Sequence, residues 1–214
     1  TFPVFKGGLE PIQPKLTMPQ GVKNETGKNG YFPNGNFTFT ETFTGSSLDY
    51  RWVGVRGARE GFISTTAEGL TITPYETNIK AVLPTSTLFY RQQHLNFTAT
   101  TTLKYVPRTE KDLAGITCYQ SEKFNYVFGV TKKAEDSYIV LQRTEKGESS
   151  TIASEKIEGN TPISLRVTAE GDKYTFSYSV KDSNYQNVGG TVSGDILSTN
   201  VAGGFTGAMI GLYA

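Results

Sequence analysis

Four consecutive polar residues, Arg91-Gln92-Gln93-His94, sit between the runs Leu88-Phe89-Tyr90 and Leu95-Asn96-Phe97. A plain hairpin turn would more usually hold Gly, Asn, Asp or Pro. These four side chains are instead long and rich in donors and acceptors. The stretch therefore reads either as a polar site or domain contact, or as a network that satisfies nearby strand edges. His94 is the one histidine in the chain. A zinc site takes three or four His, Cys or carboxylate ligands, and nothing close in sequence supplies them. A Ser-His-Asp triad would need His94 as its base, yet no Gly-x-Ser-x-Gly elbow occurs. No catalytic residue is assigned.

Carboxylate chemistry has as little to stand on. Glycoside hydrolysis takes a pair of acids flanking the scissile bond. Glu145, Glu148 and Glu155 lie among Lys, Gly and Ser and read as solvated loop charges. Glu41 is the one acid inside an early alternating segment. Glu41 and Asp195 are candidate ligands for a hard cation such as calcium, or else ordinary edge charges. No other metal site and no cofactor is expected. Trp52, the single Trp, suits either stacking on a sugar ring or a place in the core. Tyr119, Phe124 and Tyr126 flank a loop and are weaker stacking candidates. Gly203-Gly204-Phe205-Thr206-Gly207 lacks the Lys of a phosphate-binding loop. Its glycines read as shaping a bulge or turn into the last strand.

The elements that must position these residues are strands. The 214 residues include 29 Thr, 13 Phe and 12 Tyr against 11 Ala. Thr and aromatics suit pleated surfaces, whereas Ala favours helices. Lys and Arg total 21 and Asp and Glu 20, for a net charge of +1. That balance argues against a nucleic-acid partner. No apolar run approaches the roughly 18 residues of a membrane helix, so no membrane partner is expected. Cys118 is the only cysteine, which excludes an intrachain disulfide. One unpaired thiol fits a cytosolic protein and many bacterial exported ones. A periplasmic or secreted setting is favoured over a cytoplasmic one.

Residues 1–36 hold five of the nine prolines and many glycines. With Phe2, Val4, Phe5, Ile12, Leu16 and Met18, the stretch reads as an arm packed on another domain. Thr1-Phe2-Pro3 carries no basic region, so no signal peptide is expected there. From residue 37 the period becomes two. Phe37, Phe39, Glu41 and Phe43 alternate with threonines, which predicts a strand. The clearest strand is 97–105, with Phe97, Ala99, Thr101, Leu103 and Tyr105 on one face. Segments 163–168 and 174–180 alternate around Glu170-Gly171-Asp172, a good hairpin turn. Further strands are expected near 61–66, 69–74, 87–91, 114–120, 124–131, 137–144, 150–157, 188–195 and 205–213. No long helix is expected, only one turn near 109–113. The pattern predicts an all-β, two-sheet antiparallel sandwich.

Several of these residues also resemble a known family. They are, in order, Phe43, Leu48, Trp52, Arg56, Gly69-Leu70-Thr71-Ile72, Phe89-Tyr90-Arg91-Gln92-Gln93-His94, Phe97 and Ala99. Leu197-Ser198, Gly203-Gly204-Phe205-Thr206-Gly207-Ala208 and Ile210-Gly211-Leu212-Tyr213-Ala214 close the series. The set is similar to the C-terminal concanavalin A-like β-sandwich (jelly-roll) domain of family 43 glycoside hydrolases, mostly β-xylosidases and α-L-arabinofuranosidases. The likeness covers residues 37–214. It implies a catalytic five-bladed propeller upstream, whose two Asp and one Glu map onto nothing in this chain. It also implies that residues 1–36 are the propeller's exit strand and linker. The function implied is that of a non-catalytic accessory domain that packs on the propeller and helps shape a pocket for xylo- or arabino-oligosaccharide. Arg91, Gln92, Gln93, His94 and Trp52 are the candidates for substrate or inter-domain contact. An autonomous carbohydrate-binding module is the alternative, and a complete small glucanase the least favoured reading.

Overall fold

A computed structural model describes residues 36–56, 61–158, 162–180 and 184–214. These divide between Thr42 and Phe43 into two units. Apart from Asn36, the stretch read as an arm lies outside the described residues. In the first unit Phe37 and Phe39 are half-buried, and Thr38 and Thr40 are exposed. The period of two is therefore real, but the strand expected from residue 37 is not formed. Alternation assigns faces to a segment; it does not by itself make a ladder. At Phe43 the backbone turns to a φ of 56°, which ends the extended path.

The second unit is built almost wholly of antiparallel strands. They are β1 Ile63–Thr66, β2 Gly69–Ile72, β3 Thr87–Arg91, β4 Asn96–Leu103, β5 Leu113–Ser121 and β6 Phe124–Lys133. β7 Asp136–Glu145, β8 Glu148–Lys156, β9 Ile163–Glu170, β10 Lys173–Val180, β11 Gln186–Ser193 and β12 Met209–Tyr213 follow. A 3-10 turn at Gly194–Leu197 and a single helical turn at Thr199–Ala202 precede β12. The last strand thus starts four residues later than its apolar pattern suggests, because Gly203, Gly204 and Gly207 take φ values of 70–72° that turn the chain off an extended path before it. One sheet runs β3-β12-β5-β6-β7-β8 and the other β11-β10-β9-β4, with β1-β2 as a separate hairpin. The sandwich follows from the two-residue period, since each strand has one face to bury.

The main core lies between the sheets. Ile116, Cys118, Tyr126, Phe128, Val130, Ile139 and Leu141 come from the six-stranded sheet. Leu165, Val167, Tyr174, Phe176, Tyr178 and Val188 come from the four-stranded one. A second cluster of Val55, Ile79, Phe89, Tyr119 and Val127 covers the other face of β3, β5 and β6. This double burial explains why β5 and β6 read as near-continuous apolar runs rather than alternating ones. It also corrects the reading of Tyr119, Phe124 and Tyr126 as stacking residues. All three are buried, at 4%, 8% and 1% exposure.

Two consequences can be measured. Gly115 and Gly129 face each other across β5 and β6. A Cβ on Gly129 would run into the carbonyl of Ala114. Gly129→Ala is expected to lower stability by about 1–3 kcal/mol in urea unfolding, the cost of overpacking a core. Cys118 is fully buried, and burial pushes its thiol well above the ordinary range. Because the thiolate is the reactive form, a maleimide or disulfide reagent should label Cys118 only as fast as the domain unfolds. Rapid labelling of the folded chain would contradict this placement.

Candidate functional site

The turns 122–123, 146–147 and 171–172, the corner 92–95 and the segment 194–207 lie at one end of the sandwich. Ladder pairs Met209↔Arg91, Met209↔Tyr119, Asn96↔Glu170 and Lys173↔Ser193 bring them there. The Gly147 N–H donates to the Lys123 carbonyl at 3.1 Å, and the Gly171 N–H to Asn96 Oδ1 at 2.8 Å.

The stretch Arg91–His94 is the hinge of this end. Arg91 closes β3 and donates from its guanidinium to the Thr206 carbonyl at 3.0 Å. The Gln92 N–H donates to the Ala208 carbonyl at 3.1 Å. Gln92 Oε1 accepts from the Tyr174 hydroxyl at 2.9 Å, and its Nε2 donates to the His94 carbonyl at 2.9 Å. Tyr174 belongs to the opposite sheet, so Gln92 fastens the two sheets together. Gln93 Oε1 accepts from the Tyr90 hydroxyl at 3.0 Å. His94 is half-buried. Arg91 and Gln92 thus form the polar network that the sequence left as one of two readings, and they hold the segment before β12 in place.

Trp52 falls beside the same stretch. The Asp49–Arg51 ion pair at 2.7 Å rigidifies the turn before it, and the Arg51 guanidinium holds the Asp49 carboxyl below the usual carboxylate range. Val53 then bridges Phe89 of β3 in both directions, at 2.9 and 2.8 Å. The Trp52 ring packs between Phe43, at 5.1 Å, and Tyr90, at 5.5 Å and edge-on. It is half-buried at the β3 edge and belongs to neither core cluster.

Glu41 lies in the first unit, and Asp195 is an exposed residue opening the 3-10 turn. Among the described residues no three His, Cys, Asp or Glu come together as a metal site. Glu145 and Glu148 are not loop charges but the facing ends of the β7–β8 hairpin, and Glu155 lies on β8.

Sequence reasoning missed the residue this end displays most openly. Phe205 is fully exposed, at 103%. It sits on a loop held at both ends: Gln120 Nε2 donates to the Gly203 carbonyl at 2.7 Å, and Arg91 to Thr206. Gly203, Gly204 and Gly207 supply φ values of 70–72° that set its path. Leu95, at 71%, and Val201, at 44%, are exposed on the neighbouring segments. Gln120 is the bulged residue of β5 and is nine-tenths buried. Among the described residues its Oε1 meets no donor. The signal available in the sequence was a lone aromatic among three glycines, too polar and broken a context for the strand it was placed in.

Known proteins share this fold. Residues 40–214 match the model of the beta-xylosidase C-terminal concanavalin A-like domain. The chain is similar to a non-reducing end alpha-L-arabinofuranosidase of Bacteroides ovatus, at 26% identity over 81% of this chain and 33% of that one. A xylosidase/arabinosidase of Butyrivibrio fibrisolvens is 27% identical over 81% of this chain and 34% of its own length. Among solved structures, a GH43_12 protein retrieved from a capybara gut metagenome superposes with a TM-score of 0.83 at 45% identity. That match covers 100% of this chain and 41% of the other. The chain therefore spans only about a third to two fifths of the length of these relatives.

Proposed function

The chain belongs to the family of beta-xylosidase C-terminal concanavalin A-like domains, and on that premise we propose that it is the non-catalytic accessory domain of a family 43 glycoside hydrolase. The parent enzyme acts on xylose- or arabinose-containing plant polysaccharide or oligosaccharides. In this reading the sandwich packs on an upstream catalytic propeller through the end that carries Phe205, and helps shape its pocket.

The observation that carries the reading is the fully exposed Phe205 on a fixed loop, at the end of the sandwich that also exposes Leu95 and Val201. A large apolar side chain held in water forgoes about 1.5–3 kcal/mol of burial. Exposed apolar residues on ordered backbone at one end of a domain mark a contact surface. The spare Gln120 Oε1 beneath the loop suits a donor from a neighbouring domain or a sugar hydroxyl. The length of the relatives, of which this chain covers 33% and 34%, supports catalysis residing elsewhere in them.

The isolated chain is expected to leave nitrophenyl xyloside and arabinofuranoside unhydrolysed. Turnover above the uncatalysed rate would overturn the accessory role. The autonomous carbohydrate-binding module has less behind it. Trp52 is half-buried and wedged against Phe43 and Tyr90, so its face is not laid open as a sugar platform. Calorimetric titration with xylo-oligosaccharide decides between them. Saturable binding that Trp52→Ala abolishes would favour the module.

A further inference from the structure

The two sheets have four outer edges, and three of them carry a protective device. β3 is covered by the two-way bridge to Val53. β8 bears Glu148, Glu155 and Lys156, and its register slips at Ile152. β11 is bulged at Gly189-Gly190. Charges, bulges and covering segments are the usual means of keeping an open edge from pairing with another chain.

β4 has none of these. Its eight residues, Asn-Phe-Thr-Ala-Thr-Thr-Thr-Leu, carry no charge and no proline. Its pairing with β9 runs without a register shift. Which of its backbone groups point outward follows from the β9–β10 turn. A two-residue turn makes Glu170–Lys173 a hydrogen-bonded closing pair. Successive residues face opposite ways, so Ala169, Val167 and Leu165 bond toward β4. Their partners Phe97, Ala99 and Thr101 use their N–H and C=O groups there. Asn96, Thr98, Thr100 and Thr102 then aim theirs outward. All four residues are exposed, and among the described residues no backbone group meets them from that side. The hydroxyls of Thr98 and Thr102 lean inward, to Thr168 at 3.4 Å and Ser164 at 3.3 Å, and leave the edge clear.

We propose that β4 is a pairing edge, and that its occupant is the β4 strand of a second copy of this chain, joined antiparallel about a two-fold axis at Thr100. A strand added here must continue an apolar face and a hydroxyl face at once. β4 itself has that alternation. With Thr100 opposite the partner's Thr100, Thr98 lies opposite the partner's Thr102, and Phe97 opposite the partner's Leu103. The first charge beyond the strand, Lys104, lies opposite the partner's Asn96, so no like charges meet. The pairing joins two four-stranded sheets into one of eight. One strand pair is a small interface, so the dimer forms only at high concentration.

Sedimentation equilibrium of the whole chain, up to roughly 0.5 mM, tests this. The weight-average mass is expected to climb toward twice the monomer's. Thr100→Pro removes one outward N–H and no bond to β9, a substitution that edge strands accept. It should weaken association at least about tenfold. T98K/T102K sets introduced lysines against each other across the axis and should do the same, whereas T98K/T102E should restore the dimer. Circular dichroism confirms that each variant is folded, and the charge pair decides the matter if the proline variant is not. A chain that stays monomeric throughout, or a dimer indifferent to these changes, overturns the proposal.

Discussion

Phe176→Ala is expected to leave the sandwich barely folded, with about 3–5 kcal/mol lost in urea unfolding. Phe176 sits at the middle of β10, on the face shared with Tyr174 and Tyr178, and has no exposed surface. Its ring reaches across the core to Tyr126 at 5.7 Å and Phe128 at 5.5 Å, both on β6 of the opposite sheet. On its own sheet it lies between Val167 and Val188. Every wall of the resulting cavity is ladder-bonded strand, which collapses poorly, so the loss should fall near the upper figure. A domain's whole stability is only about 5–15 kcal/mol. Phe176→Leu keeps most of the volume and should cost less than about 1.5 kcal/mol. A loss below 1 kcal/mol for the alanine variant would mean that the two sheets are not held apart at this ring.

Phe205→Ala should do the reverse. The side chain is fully exposed, so the chain's own unfolding should shift by no more than about 0.5 kcal/mol. In the proposed parent enzyme the same change should lower kcat/KM by roughly ten- to a hundredfold. That range is the 1.5–3 kcal/mol of burial that the proposed contact would give Phe205, converted at about 1.4 kcal/mol per factor of ten. Phe205→Trp should keep most of the activity. Steady-state kinetics with thermal unfolding as the control reads both effects. Unchanged kinetics would remove Phe205 from the proposed contact.

These two phenylalanines show what the sequence tells and what it withholds. Alternation around Phe176 announced its strand, its face and the β9–β10 turn, because a period of two is a property of the strand itself. The same reasoning failed at Phe37–Phe43, where the period is present but no strand is formed. The polar run Arg91–His94 stood out in the sequence, yet it has hydrogen-bond partners far away along the chain. Thr206, Ala208 and Tyr174 are its partners, and no local pattern predicts them. Phe205 was hidden by its neighbours. An aromatic next to an apolar strand is ordinarily buried, and only the glycine φ values before and after it turn the side chain out.

The strand order carries a consequence for how the domain is made. β12 is the last strand in sequence, yet it lies between β3 and β5 in the six-stranded sheet. On the ribosome, everything through β11 emerges while β3 and β5 still lack the neighbour that joins them. Until Met209–Tyr213 arrives, the nascent sheet is in two pieces with facing unpaired edges. Pairings between residues ninety or more positions apart close slowly, and exposed edges in the interval invite wrong partners. Synthesis of this domain should therefore lean on chaperones, and removal of the last few residues should be as damaging as a hole in its core.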